Sequence, residues 1–144
     1  MGWIHQWEFQ NTLMKGLAIP KLRKVRITRK GWIRKLDKLV SEIVILRDKR
    51  CVVCGTLHKL TCGHLFSRIA YNTRWNLTNC HAQCLSCNFR HEHDAFPYME
   101  WFRKKFGQAA LNRLHRKYET MSHFKDYDLE KEYKQLLRVK ERTA

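Results

Sequence analysis

Acidic residues are scarce in this chain of 144: 13 Asp plus Glu stand against 29 Lys plus Arg, a formal net charge of +16. An excess of that size in so short a chain points to a polyanionic partner. Long apolar runs are absent too. None exceeds about five residues, whereas a membrane helix needs about 20, so no segment is expected to span a bilayer. No lipidated or amphipathic anchor stands out for an anionic membrane surface. The opening "MGWIHQWEFQ" has no basic stretch followed by an apolar one, the mark of a secretory leader. An intracellular, cytoplasmic protein is expected. There is no internal repeat and no low-complexity linker, which leaves one domain with a modest core.

The apolar content is ordinary: 44% hydrophobic residues and 12% aromatics argue against disorder. Residues 1–28 form a basic, irregular segment broken by Gly16 and Pro20, and 29–144 form the single domain. Within "KLRKVRITRK", residues Lys21, Arg23, Lys24, Arg26, Arg29 and Lys30 are candidates for phosphate contact, with Lys104 and Lys105 less central. From 31 to 49 the apolar residues Trp32, Ile33, Leu36, Leu39, Val40, Ile43, Val44 and Leu46 recur at helical spacing. "FPYMEWFRKKFG" starts on a proline and stops on a glycine, as helices do. Gly107 separates it from a second helix, and Asp126 or Asp128 can cap a last one carrying Leu129, Tyr133, Leu136 and Leu137.

Six cysteines lie between 51 and 87. An intracellular chain keeps thiols reduced, so a disulfide framework is not expected. Cys51-x-x-Cys54 and Cys84-x-x-Cys87 offer four thiolates at two turns, the tetrahedral shell that a structural Zn²⁺ prefers. Residues 55 to 83 lie between the pairs, a longer loop than a short knuckle needs. Cys62 and Cys80 inside it are expected to be small buried apolar residues.

That loop holds His64, with Arg68 and Arg74 close in sequence, and Asn88 follows the last cysteine. Phosphodiester hydrolysis needs a base for water, which a neutral histidine supplies near pH 7. It needs a cation for the charge that grows on the phosphate and the leaving oxygen. Mg²⁺ takes oxygen ligands and keeps several waters, so one or two protein oxygens such as an Asn carbonyl suffice. An arginine can hold a phosphate oxygen. The right chemical types are present; the sequence alone does not bring them together.

The order C-x-x-C, His64, then Asn79 five residues before Cys84, then Cys84-L-S-Cys87-Asn88 resembles the zinc-containing HNH (ββα-metal) endonucleases and the endonuclease VII-type resolvases. "LVSEIVILRDKRCVVCG", "CGHLFSR", "RWNLTNCHAQCLSCN" and "YMEWFRKKFG" are similar to the NinG/Rap recombination endonuclease family of bacteriophages, over roughly residues 32 to 114. The resemblance implies an α+β fold: a small ββα-metal core with a four-cysteine zinc site, flanked by helices. It implies a phage-encoded enzyme that cuts branched DNA such as Holliday junctions, with Mg²⁺ or Mn²⁺ and 5′-phosphate products. Carried over by motif, His64 is the general base, Asn88 a ligand of the catalytic metal, and Asn79 the holder of the His64 loop. Arg68 and Arg74 are then candidates for phosphate contact. Many relatives of this pattern place an Asp just before the histidine; Gly63 stands there here, and His81 is the candidate second ligand, with a supporting structural role as the alternative. His91, Glu92, His93 and Asp94 are further candidates to assist metal binding, with a helix end on the surface as the preferred reading. Paired cuts in opposed strands call for two active sites, hence a homodimer, with the helix from 128 to 142 one place for its interface. Two other readings stay open: a non-catalytic zinc module that binds DNA or RNA, and an HNH nicking or homing enzyme that reads sequence.

Overall fold

The computed structural model describes residues 26–120 and 122–144. Among the described residues, six helices and two strands follow in the order α1 (Arg29–Asp48), β1 (Leu60–His64), α2 (Tyr71–Arg74), β2 (Cys80–Cys84), α3 (Leu85–His91), α4 (Phe96–Phe106), α5 (Gln108–Glu119) and α6 (Asp126–Thr143). No helix among the described residues is long and apolar enough to cross a membrane. Most of the basic segment 1–28, with Lys21, Arg23 and Lys24, lies outside the described residues.

Helix α1 begins where the Thr28 hydroxyl accepts the amide of Gly31 at 3.1 Å, satisfying one free N–H of the first turn. It ends at Lys49, whose φ of 61° takes the chain out of the helix. Leu36, Leu39, Val40, Ile43 and Val44 form its buried stripe, while Leu46 falls off that stripe and is exposed.

The strands pair antiparallel, with Cys62 opposite Ala82, Gly63 opposite His81 and His64 opposite Cys80. Side chains alternate across a strand, so the hairpin has two unlike faces. Cys62, Cys80 and Ala82 pack into the core of α1 and α6. On the other face the His81 ring lies among Tyr98, Trp101, Phe102 and Phe106 of α4.

Helix α6 lies along α1, burying Leu129 and Leu136, with Trp32 against Tyr133 and Lys140 bonded to Glu42 at 2.7 Å. Asp128 starts α6 by accepting the Lys125 amide at 2.8 Å. Gly107, at φ 85°, turns the chain between α4 and α5, where Tyr98, Phe102, Leu111 and Leu114 make a second core with Leu65.

Three polar side chains of α1 bond to the central segment. Asp37 accepts from Arg74 and from the Trp75 indole; Asp48 accepts the Ala82 amide at 2.8 Å; Arg47 donates to the carbonyls of Leu77 and Cys80. Two of them, Asp48 and Arg47, answer backbone groups of β2 in a sheet that has only two strands among the described residues, while Asp37 holds side chains.

Leu129 is fully buried between α6 and α1. Leu129→Ala should lower unfolding free energy by about 2–5 kcal/mol, read in urea denaturation. A loss under about 1 kcal/mol would mean that α6 is not packed as described.

Candidate functional site

The two C-x-x-C turns meet. Cys51 and Cys54 lie in the turn after α1, and the turn closes because Gly55, at φ 78°, lets its amide reach the Cys51 carbonyl at 2.8 Å. Cys84 ends β2 and Cys87 lies in the first turn of α3, its amide directed at the Cys84 sulfur at 3.4 Å. All four Sγ atoms fall within 4.8 Å of one another. The Cys54 and Cys84 sulfurs are 3.7 Å apart. A disulfide needs about 2.05 Å, whereas sulfurs about 2.3 Å from one tetrahedral zinc sit about 3.8 Å from each other. The spacing fits zinc.

Electrostatics ask for a cation as well. Burial pushes the Cys51 thiol up, but the amides of Cys54, Cys84 and Val53 outweigh it and bring it down to about 7. Burial and then the neighbouring thiols push Cys87 far up. Four thiolates cannot share this space alone, and a divalent cation removes the conflict.

On the open side of β1 lies a cavity of about 480 Å³ lined by Cys62, His64, Ser67, Arg68, Asn88, His91 and Glu92. His64, Arg68 and Asn88 thus come together from a strand, the loop after it and a helix. The His64 Nε2 is 2.9 Å from the Arg74 carbonyl oxygen. A carbonyl only accepts, so Nε2 carries the hydrogen and Nδ1 keeps the lone pair. Burial lowers the His64 pKa below the ordinary 6.5; the Arg74 carbonyl opposes this, and the charges of Arg68 and Arg74 add to it. Arg68 is exposed, and its guanidinium has no hydrogen bond among the described residues.

Asn79 is fully buried and bonds on three sides: its Oδ1 accepts the Phe66 amide, and its Nδ2 donates to the carbonyls of Phe66 and Thr73. It therefore fixes both the loop after His64 and the turn that presents the Arg74 carbonyl.

Asn88 is half-buried on α3. Its Nδ2 donates to the Thr61 hydroxyl at 3.3 Å, leaving Oδ1 as the open acceptor. One helical turn on, His91 donates from Nε2 to the Leu65 carbonyl at 3.1 Å, and its buried Nδ1 has no partner. Asn88, His91 and Glu92 thus share one face and one cavity at spacings of three and four residues.

Three expectations are corrected. His81 is not beside Asn88. It is buried across the sheet, its Nδ1 2.8 Å from the Tyr98 hydroxyl, and it opens toward a different cavity with Arg47, Asp48 and Trp101. Burial and then the Arg47 charge take its pKa down to about 3. Arg74 is not free for phosphate, because both arms of its guanidinium bind Asp37, at 2.9 and 2.7 Å. Arg29 is held at the start of α6, donating to the Phe124 carbonyl at 2.7 Å and to Asp126 at 3.2 Å. Arg26 and Lys30 remain exposed.

Sequence reading missed Asp37, which has no motif, and ranked His91 as a surface helix end ahead of its metal-assisting alternative. It also missed Gln83. This side chain is buried, both its amide atoms lack partners, and it fills the space above the Gly63 Cα. A Cβ at 63 would fall on the Gln83 side chain, which would have to shift to admit it.

Bacteriophage Lambda NinG protein is the family whose sequence model matches, over residues 15–143. Protein ninG of Escherichia phage lambda is 30% identical over 100 residues, which cover 65% of this chain and 49% of that protein. The ninG proteins of Escherichia phage 933W and Salmonella phage P22 are each 29% identical over a similar stretch. The chain spans about half the length of the curated relatives it matches. No solved structure is matched.

Two outcomes are expected. Removing zinc with a chelator should abolish the cooperative unfolding transition seen by circular dichroism, and zinc should restore it; an unchanged transition would contradict a structural metal. Gly63→Asp should destabilise the fold, and the double variant with Gln83→Ala should regain part of the loss in melting temperature. Equal melting of single and double variants would show that Gln83 does not exclude a side chain at 63.

Proposed function

The chain belongs to the NinG family, and from that premise we propose that it is a metal-dependent endonuclease cutting branched DNA. One observation carries the reading: a neutral histidine with its free nitrogen set by a backbone carbonyl shares a cavity with an unpaired arginine and an unpaired amide oxygen. A non-catalytic zinc module would need the four cysteines and the positive charge, but not this grouping.

The donor set suits a divalent cation. Asn88 offers Oδ1, which the bond from Nδ2 to the Thr61 hydroxyl leaves without a partner. His91 offers Nδ1, whose lone pair is fixed by the bond from Nε2 to the Leu65 carbonyl, the arrangement in which metal-binding histidines are usually held. Glu92 lies at the rim. One oxygen and one imidazole leave room for several waters and admit Mg²⁺ or Mn²⁺. When bound, such a cation neutralises charge on the scissile phosphate and on the leaving 3′-oxygen.

The protein's own groups do the rest. His64 Nδ1 takes the proton of the attacking water while Nε2–H stays on the Arg74 carbonyl. Asp37 holds the Arg74 side chain and Asn79 holds the turn, so the carbonyl does not drift; both are positioning residues. Arg68 reaches the phosphate from the rim. The net charge of +16 supplies affinity for the backbone without regard to sequence, and Arg26 and Lys30 lie exposed for it. Resolution of a four-way junction requires two such sites, which a two-fold homodimer provides.

The test is cleavage of a synthetic four-way junction and of linear duplex with the same sequence, in Mg²⁺ and in Mn²⁺. Wild type should cut the junction in preference. His64→Ala should bind it equally and keep its zinc while cutting about 10²–10⁴-fold more slowly. No cleavage of any junction, nick or duplex by wild type favours the non-catalytic module, and equal cleavage of linear duplex favours a sequence-reading enzyme.

The pH profile has a definite sign. Water activation needs neutral His64, so the rate is lost as pH falls through the folded-state pKa, which lies below 6.5. Cleavage should stay level from neutral pH down to the ordinary histidine range and drop only beneath it. A midpoint above 6.5 would contradict the buried, neutral base.

A further inference from the structure

We propose that Cys62, His64 and Cys80 form a second, soft-metal site, and that zinc bound there silences the nuclease by occupying its base. The ligand atoms of these three residues lie within 4.8 Å of one another, as do those of Cys51, Cys54, Cys84 and Cys87. The register explains it. His64 and Cys80 are directly opposed across the hairpin, Cys62 sits two residues before His64 on the same strand, and all three project to one face.

The Nε2 edge of the ring and one of the thiols meet at the same backbone oxygen. That nitrogen and the Cys80 sulfur both bond to the Arg74 carbonyl, at 2.9 and 3.4 Å. Cys80 is fully buried, while Cys62 and His64 reach the cavity at the edge of β1, so an ion has a way in. Two sulfurs and one imidazole leave a fourth position for water. Three protein ligands with one open position make a site that exchanges its metal more readily than a closed four-thiolate shell. The chemical class follows from the ligands. Thiolate and imidazole select zinc and its softer neighbours, whereas Mg²⁺ requires oxygen and does not compete.

Binding changes the histidine. Zinc on Nε2 displaces the bond to the Arg74 carbonyl and leaves the single ring hydrogen on Nδ1. Nδ1 is the nitrogen that accepts the water's proton in the proposed cleavage, so the loaded site has no base. This effect on cleavage rests on the nuclease reading; the existence of the site does not. The two soft sites therefore act in opposite senses: the four-cysteine centre completes the fold, and the three-ligand one switches it off when zinc is in excess.

The experiment uses the whole chain carrying one zinc in the four-cysteine site. Further zinc is counted by native mass spectrometry, and Co²⁺ is added in parallel as an absorbance probe for thiolate ligation. Wild type should take one more equivalent, with a cobalt–thiolate band, and give it up to a mild chelator before the first. Cys62→Ala, at a half-buried position, and Cys80→Ala should each lose that equivalent and keep the first. Junction cleavage in Mg²⁺ should fall by about 10²-fold or more as the second equivalent loads, while Cys62→Ala should be indifferent to added zinc. A single equivalent in wild type, or a second one retained by both variants, overturns the site. A second equivalent that leaves cleavage unchanged overturns the silencing alone. If the singly loaded protein cuts no branched DNA, the nuclease reading fails, and the titration still decides the site.

Discussion

Four thiols drawn within 4.8 Å of one another set the terms for the rest of this small protein. The two strands bury too little to stand alone, and their ends are also the places where chemistry has to be held. The cluster of Cys51, Cys54, Cys84 and Cys87 joins the turn after α1 to the junction of β2 with α3, and zinc bound there would lock the two together. That junction decides where the first turns of α3 point. Asn88 lies one residue past the last cysteine, and His91 and Glu92 follow on the same face. A shift in the knuckle would move all three.

The opposite wall of the cavity depends on a different constraint. Asp37 of α1 is kept ionised: burial raises its pKa, but hydrogen bonds from Arg74 and Trp75 outweigh that and hold it below its usual value. The bidentate bond to Arg74 fixes the turn whose carbonyl selects the His64 tautomer. The arginine thus serves through its backbone, with its side chain committed to the core helix. Asn79 closes the same turn from inside. An acid of α1, a turn and a buried amide together orient one imidazole.

Much of this was legible in the sequence, because periodicity and metal spacing are local signals. The stripe from Leu36 to Val44, the start at Pro97, the stop at Gly107 and the two C-x-x-C turns follow from such rules. Residues whose role depends on a partner far along the chain were not legible. Arg74 and Arg29 read as cations for DNA, and only the fold shows Asp37 and Asp126 beside them. His81 has the residue type of a ligand but faces the aromatic side of the hairpin, and strand parity, not composition, decides that. His91 read as a surface helix end, yet its ring is held against Tyr98 and the Leu65 carbonyl. Cys62 and Cys80 are packed as expected of small apolar residues, but the register also places them beside His64. The family match over 15–143 extends beyond the stretch of roughly 32 to 114 whose phrases carry the resemblance.

In the proposed function, hard and soft ligands are sorted by position: sulfur at the knuckle, amide oxygen and one imidazole on α3, and His64 as the base between them. The most direct measurement of that division is anomalous diffraction from crystals of His64→Ala bound to a four-way junction and soaked in Mn²⁺. Zinc should appear only among the four knuckle sulfurs, and manganese between Asn88, His91 and a backbone phosphate near Arg68. Manganese bound elsewhere, or a phosphate that never approaches Asn88, would contradict the assignment of this cavity to cleavage.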